Sequence, residues 1–280
     1  MSYTHIPVQT KRLGMLEVLF SLPPKDTPRR ETPLLFVHGA FAGAWMWGDH
    51  FLPWFAQHGY QSYAVSLRGH GGSDTDKDHN YLSVTDYVDD VRACAADIVA
   101  QGLPDPALIG HSMGGFVTQK FLEHNYAPAA ALVCAVPPQG LMLSQLHMIT
   151  TRPDLLGEIN EIINGGEVHI SVVQEVLFSR HVDDKLLERF RANMQIESQR
   201  AIWDMSLFNL PLLPRWIRPP LLILGAEEDL LVPPFLVEAT ALTYSQTAHI
   251  FPKMGHAVTH EREWPTVATF ILEWLRSLNI

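Results

Sequence analysis

Three residue types that together turn an alcohol into a nucleophile occur in this chain in order. Ser112 lies in Gly110-His111-Ser112-Met113-Gly114, Asp229 in Gly225-Ala226-Glu227-Glu228-Asp229, and His256 in Lys253-Met254-Gly255-His256-Ala257. A serine hydroxyl attacks a carbonyl at neutral pH only when a base takes its proton, and an imidazole acts as that base when an acid holds its tautomer. G-x-S-x-G between an apolar run, Ala107-Leu108-Ile109, and a helix-like one, residues 116–121, reads as a nucleophile elbow. A strand that turns straight into a helix forces its apex residue toward positive φ, and the flanking glycines leave room for the turn. The Met113 N–H, at the start of that helix, would face an incoming anion. In the order Ser, acid, His, the acid is read as Asp229, with Glu227 and Glu228 as alternatives in the same loop. Of the fourteen histidines, His256 alone follows the last strand pattern, comes after a glycine and precedes the terminal helix. A tetrahedral intermediate needs a second amide donor from the loop after the first core strand. That loop is His38-Gly39-Ala40-Phe41, and Ala40 is the expected donor.

These residues need a scaffold, and the hydrophobic pattern describes one. Residues 14–22 read as a strand ending at Pro23-Pro24. Leu34-Leu35-Phe36-Val37 is a continuous apolar run, as in a strand buried on both faces. Residues 47–58 are helix-like, 62–67 a strand, and Arg68-Gly69-His70-Gly71-Gly72-Ser73 a loop. Val84, Val88, Val91, Ala95 and Ile98 share one helical face, with Ser83 and Asp86 as a start signal. Strands over 107–109, 130–136, 221–224 and 249–251 alternate with helices that reach about residue 124, span 235–242, and close the chain over 264–278. Buried strands alternating with amphipathic helices predict an α/β fold: a mostly parallel central sheet with helices on both faces. Between Pro137 and Pro219 the alternation stops and helical patterns take over, as in 183–194 and 199–207. The expected organisation is a core of residues 1–138 and 214–280, with a helical cap over 139–213.

Composition narrows the rest. At 280 residues, 47% hydrophobic and 18% charged, the chain can bury a large core. A formal net charge of −10 argues against nucleic acid or an anionic membrane surface as partner. Residues 1–12 are polar and do not read as a signal peptide. Residues 126–151 carry no charge, but Pro128, Pro137, Pro138 and Gly140 interrupt them, so no integral membrane segment is expected. Two cysteines, Cys94 and Cys134, suggest no disulfide framework, and a reduced cytoplasmic setting is the default. His249, His256 and His260 lack metal-ligand spacing, so no metal is expected.

The chain resembles the α/β-hydrolase superfamily, in its cap-bearing bacterial esterase and lysophospholipase-like branch. The resemblance is carried in order by His38-Gly39, Arg68-Gly69-His70-Gly71-Gly72-Ser73, residues 110–115, Asp229 with Val232-Pro233, and Gly255-His256. It covers most of the chain outside the insertion and the first dozen residues. It implies an α/β-hydrolase fold, a Ser112–His256–Asp229 triad, no cofactor, and a structural role for Arg68 and His70. Departures narrow the chemistry. Ser112 stands where haloalkane dehalogenases and epoxide hydrolases carry Asp. Ala257 replaces the Lys that follows the catalytic His in plant hydroxynitrile lyases. Met113 replaces the Trp of prolyl aminopeptidases. Hydrolysis of an ester, a thioester or an activated ketone remains. Phe41, Trp45, Met142 and Trp203 are candidate substrate-binding residues, and an apolar lid would favour a hydrophobic acyl or aryl group. The expected function is a serine hydrolase cleaving a carboxylic ester of a small molecule. The alternatives are a carbon–carbon bond hydrolase or lyase using the same triad, and a non-catalytic small-molecule receptor. Oligomeric state is not legible.

Overall fold

The computed structural model describes residues 6–212 and 219–280. Eight strands form one sheet: β1 (Gln9–Leu13), β2 (Leu16–Ser21), β3 (Leu34–Val37), β4 (Ser62–Val65), β5 (Ala107–His111), β6 (Ala130–Val133), β7 (Leu221–Ala226) and β8 (Ala248–Phe251). Their order is β1-β2-β4-β3-β5-β6-β7-β8. β2 runs antiparallel to both β1 and β4, and all pairings from β4 to β8 are parallel. The mostly parallel sheet read from the alternation is therefore present.

Side chains on the central strands alternate between two cores, as a period of two requires. Leu34 and Phe36 face one core, Leu35 and Val37 the other. The first core is completed by the short α1 (Trp45–Gly48), by α2 (Phe51–Gln57) and by the C-terminal helix. The second is completed by α3 (Val84–Ala100), which the expected Ser83–Asp86 capping box opens, and by α4 (Met113–Phe121). The helix expected over 47–58 is thus two helices, broken at Asp49 and His50, where His50 leaves helical φ and ψ. The strand expected to reach residue 136 stops at Val133, because Cys134 turns to φ 45°.

Between β6 and β7 come α5 (Met142–Thr151), α6 (Pro153–Ile163), α7 (Ile170–Leu177), α8 (Asp184–Asn193) and α9 (Gln199–Trp203). The last continues into a π-helical turn, Asp204–Phe208. The expected boundary at residues 213/214 lies outside the described residues. After β7, α10 (Pro234–Thr243) covers the sheet, and α11 (Trp264–Ser277) ends the chain with Val267, Ala268, Ile271 and Leu275 buried. Among the described residues no helix is long and apolar enough to cross a membrane.

The segment between β6 and β7 is fastened to the sheet by buried polar contacts. Glu197, fully buried, bonds His70 Nε2 at 3.1 Å, accepts from the Tyr87 hydroxyl at 2.7 Å and from the Ser198 N–H at 2.7 Å. Burial pulls the His70 pKa down, but the adjacent Glu197 carboxylate more than offsets this and holds it above the usual imidazole value. Ser198 Oγ donates to the Leu82 carbonyl at 2.6 Å, and Asp204 accepts from the Val84 N–H at 3.1 Å. Arg68 is tied to Asp90 through Nη2 at 2.6 Å and Nε at 2.9 Å, so the loop after β4 is a rigid platform for these contacts.

Candidate active site

Ser112 sits between β5 and α4 with φ 54° and ψ −119°. That strained conformation is the one the motif predicts. The turn survives because its neighbours have no side chains. A Cβ on Gly114 would lie 2.3 Å from the Val37 carbonyl oxygen, and one on Gly110 2.4 Å from the Gly114 carbonyl oxygen. β5, α4 and the end of β3 could not otherwise approach so closely.

His256 and Asp229 meet across the C-terminal ends of β7 and β8. His256 Nδ1–H donates to Asp229 Oδ2 at 2.7 Å. Asp229 Oδ1 accepts from the Leu231 and Val232 amides, both at 2.8 Å. Both residues are buried, Asp229 at 2% and His256 at 4% exposure, whereas Glu227 and Glu228 face solvent. Of the three acids in that loop, Asp229 is the one that reaches the imidazole. With Nδ1–H committed, Nε2 is left as the basic nitrogen. Ser112 and His256 line one cavity. Ser112 Oγ has no hydrogen-bond partner among the described residues. In unliganded sites the serine–imidazole bond is commonly loose and tightens when substrate fills the site.

The loop after β3 supplies the other side. Phe41 adopts φ 63°, and its carbonyl accepts from the Gln195 N–H at 3.0 Å. The Ala40 and Met113 amides have no hydrogen-bond partner among the described residues, and both residues line a cavity with Ser112. Met113 opens α4, so the positive end of that helix lies beside the serine. Trp45 also lines the cavity of His256, while Trp47 is fully buried core.

Two of the expected substrate contacts lie outside the cavities at Ser112. Met142 is 48% and Trp203 56% exposed, and neither lines a cavity at Ser112; their neighbours Leu141 and Ile202 do. On α5 and its N-cap the lining residues are Leu141, Ser144, Gln145 and Met148, an i, i+3, i+4, i+7 stripe that Met142 lies outside. Leu231, Leu177, Phe190 and His111 also line the site without having been singled out. His111 Nε2–H donates to the His256 carbonyl at 2.9 Å and so holds the loop that carries the base. The Ala257 N–H donates to the Leu177 carbonyl at 2.8 Å, which ties the same loop to α7.

A model of the Alpha/beta hydrolase family matches residues 34–269. The chain belongs to the alpha/beta hydrolase family. It is 34% identical over 114 residues to a non-heme chloroperoxidase of Streptomyces lividans, covering 40% of this chain and 39% of that protein. It is 31% identical over 102 residues to a pyrethroid hydrolase of Sphingobium wenxiniae, covering 36% of this chain and 34% of that protein. The matches thus span well under half the length of either relative. An esterase from Exiguobacterium antarcticum superposes with a TM-score of 0.68 at 18% identity, covering 93% of this chain and 96% of that one. At that identity the likeness is one of fold.

Among the described residues of this alpha/beta hydrolase, two groups bring three metal-ligating side chains together, their donor atoms within 4.8 Å of one another: His111 with Cys134 and His256, and His70 with His79 and Glu197. In the first, His256 Nδ1 and His111 Nε2 are already engaged by Asp229 and by the His256 carbonyl; in the second, His70 and Glu197 bond each other. Cys134 is no rival nucleophile, since burial and the neighbouring Asp229 carboxylate push its thiol well up.

Two histidines around the site are held neutral. Burial, reinforced by His256 for His111 and by His70 for His38, lowers both pKa values to about 3. A depressed pKa stabilises the fold above the ordinary imidazole value, and that stability is lost as pH falls from it toward the folded value. The expected loss therefore begins near pH 6.5 and continues to about 3. Around pH 5 unfolding should take up about two protons on their account, a slope of roughly 3 kcal/mol per pH unit. Denaturant melts at a series of pH values measure it; a flat profile down to pH 4.5 would contradict the neutral assignments.

Proposed function

We propose that this chain is a serine hydrolase that cleaves a carboxylic ester with a hydrophobic acyl or aryl group through an acyl-enzyme. The observation that carries the reading is the 2.7 Å His256–Asp229 hydrogen bond beside a serine on a strained turn, in a shared cavity. Ser112 Oγ forms a bond to the carbonyl carbon as its proton passes to His256 Nε2, and the Ala40 and Met113 amides hold the oxyanion. The imidazolium, steadied by Asp229, returns that proton to the departing alkoxide as the carbon–oxygen bond breaks. Water, deprotonated by His256, then releases the acid and restores Ser112. Two amides free of other partners suit the oxyanion, because they need no rearrangement when charge develops. The names of the relatives, a pyrethroid hydrolase and an esterase, point the same way. The helical segment between β6 and β7 acts as the cap, since its side chains complete both cavity walls.

The test is labelling by a serine-reactive phosphonate, with peptide mapping, alongside p-nitrophenyl ester turnover. The expected result is one adduct, on Ser112, that abolishes turnover; an adduct elsewhere, or turnover that survives full labelling of Ser112, rejects the reading.

Gly39 supplies an independent check. A Cβ there would sit 3.0 Å from both Ser112 Cβ and His111 Nδ1. Gly39→Ala must shift the serine or the histidine that carries the His256 loop. A displacement of a few tenths of an ångström is expected to lower kcat about tenfold with the fold retained; kcat within twofold of the parent contradicts the placement.

A further inference from the structure

Two cavities with otherwise different linings share Ser112, one of about 100 Å³ and one of about 110 Å³. Ala40, Phe41, Ser112 and Leu231 line both, so Phe41 and Leu231 form the neck between two arms. The arms differ in which reacting groups they contain. His256 lines the first and not the second; Met113 lines the second and not the first.

That asymmetry orients a substrate. With the carbonyl oxygen at the Ala40 and Met113 amides, the leaving oxygen has to lie where His256 can protonate it. The group attached to that oxygen then runs into the arm walled by His256. The acyl chain takes the other arm.

The two walls have different chemistry. The leaving-group arm is built from Trp45, Phe190, Leu177 and Met194, with Trp45 and Phe190 edge to face at 5.1 Å and 87°. An aromatic ring suits this wall by the same edge and stacking geometry, and Met194 adapts to its outline. The acyl arm takes Leu156, Ile159 and Ile163 from one face of α6, Leu141 from the N-cap of α5 and Met148 from α5 itself, a mainly aliphatic lining interrupted by the neutral polar side chains of Ser144, Gln145 and Asn160. Neither lining includes Asp, Glu, Lys or Arg, so a charged substituent in either arm would lose its hydration without a counter-ion.

We propose that the substrates are uncharged esters of an aromatic alcohol, of phenol or benzyl type, with an aliphatic carboxylic acid, the ring lying against Trp45 and Phe190 and the chain along α6. This rests on the serine-hydrolase reading above. The products are the free phenol or aryl alcohol and the aliphatic acid, with one water consumed.

The experiment compares benzyl butanoate with its isomer butyl benzoate, each kcat/KM divided by the ester's alkaline hydrolysis rate, in the parent and in two arm-filling variants. The parent is expected to favour benzyl butanoate by roughly tenfold or more. Ile159→Trp narrows the acyl arm. It should cut turnover of benzyl hexanoate by roughly tenfold or more relative to benzyl acetate, without changing the preference for benzyl over methyl butanoate. Met194→Trp should do the converse. Ile163→Trp fills the same arm if Ile159→Trp does not fold. A preference for butyl benzoate, or an Ile159→Trp effect on the alcohol half instead of the acyl half, overturns the orientation while ester hydrolysis stands. No turnover of any ester together with no phosphonate adduct on Ser112 overturns the hydrolase reading, and this proposal with it.

Discussion

Ser112→Ala is expected to fold like the parent and to lose about 10⁵- to 10⁶-fold in kcat on p-nitrophenyl butanoate. Both halves of that expectation follow from the site. The Ser112 side chain makes no hydrogen bond among the described residues, so its removal leaves no buried group unpaired. The backbone strain at φ 54° stays as it was, because alanine and serine share the same Cβ. No other side chain is set up to take over: the Ser144 hydroxyl, which also lines the cavity, donates to the Leu231 carbonyl, and the nearby Cys134 is held protonated by burial and by Asp229. What survives is the oxyanion site and the binding arms, which by themselves give a residual acceleration of about 10³ to 10⁴ over water. Thermal melts and stopped assays at high enzyme concentration check both parts. Loss of less than about tenfold would remove the serine from the chemistry.

Much of this site was legible because its requirements are local. The elbow is a short-range demand: a strand, an apex residue and flanking glycines, each forced by the atoms within a few residues of Ser112. The same holds for the start of α3, where Ser83 and Asp86 satisfy each other across one turn. The acid was narrowed only by distance. Asp229, Glu227 and Glu228 are chemically interchangeable in a loop, and it is the 2.7 Å contact to His256 that separates them.

What stayed illegible depends on which face of an element meets which neighbour. α5 and its N-cap carry apolar residues at 141, 142, 143, 146, 148 and 149, so composition alone does not say which stripe turns inward. The fold turns Leu141 and Met148 toward the cavity and leaves Met142, Leu143 and Leu146 exposed. Trp203 is exposed in the same way, one residue from the lining Ile202. β1 was missed because an edge strand reading Gln-Thr-Lys-Arg-Leu has no residue buried in the core, and its pattern is that of a polar terminus. Glu197 gives no sequence signal at all. Its partners His70 and Tyr87 are more than a hundred positions away, and only the packed structure shows that one buried carboxylate fastens the helical segment to the sheet.

Asp229→Asn is expected to lower kcat by about 10⁴-fold while leaving the fold intact, and the reason is the pair of amides on its other oxygen. The Leu231 and Val232 N–H groups both donate to Asp229 Oδ1 at 2.8 Å. An asparagine at 229 must keep its carbonyl oxygen there, since its NH₂ would clash with two donors. That choice turns the NH₂ toward His256 Nδ1, which must then accept instead of donate. The imidazole proton moves to Nε2, the nitrogen that has to take the proton of Ser112. The variant is therefore folded with its base in the wrong tautomer. Asp229→Ala separates geometry from tautomer. It leaves the two buried amides without an acceptor, at about 1–3 kcal/mol, so its melting temperature should fall where that of the asparagine variant does not. Nitrogen-15 shifts of the His256 ring read the tautomer directly. An asparagine variant within about tenfold of the parent, or one whose ring proton stays on Nδ1, would show that Asp229 does not orient the base.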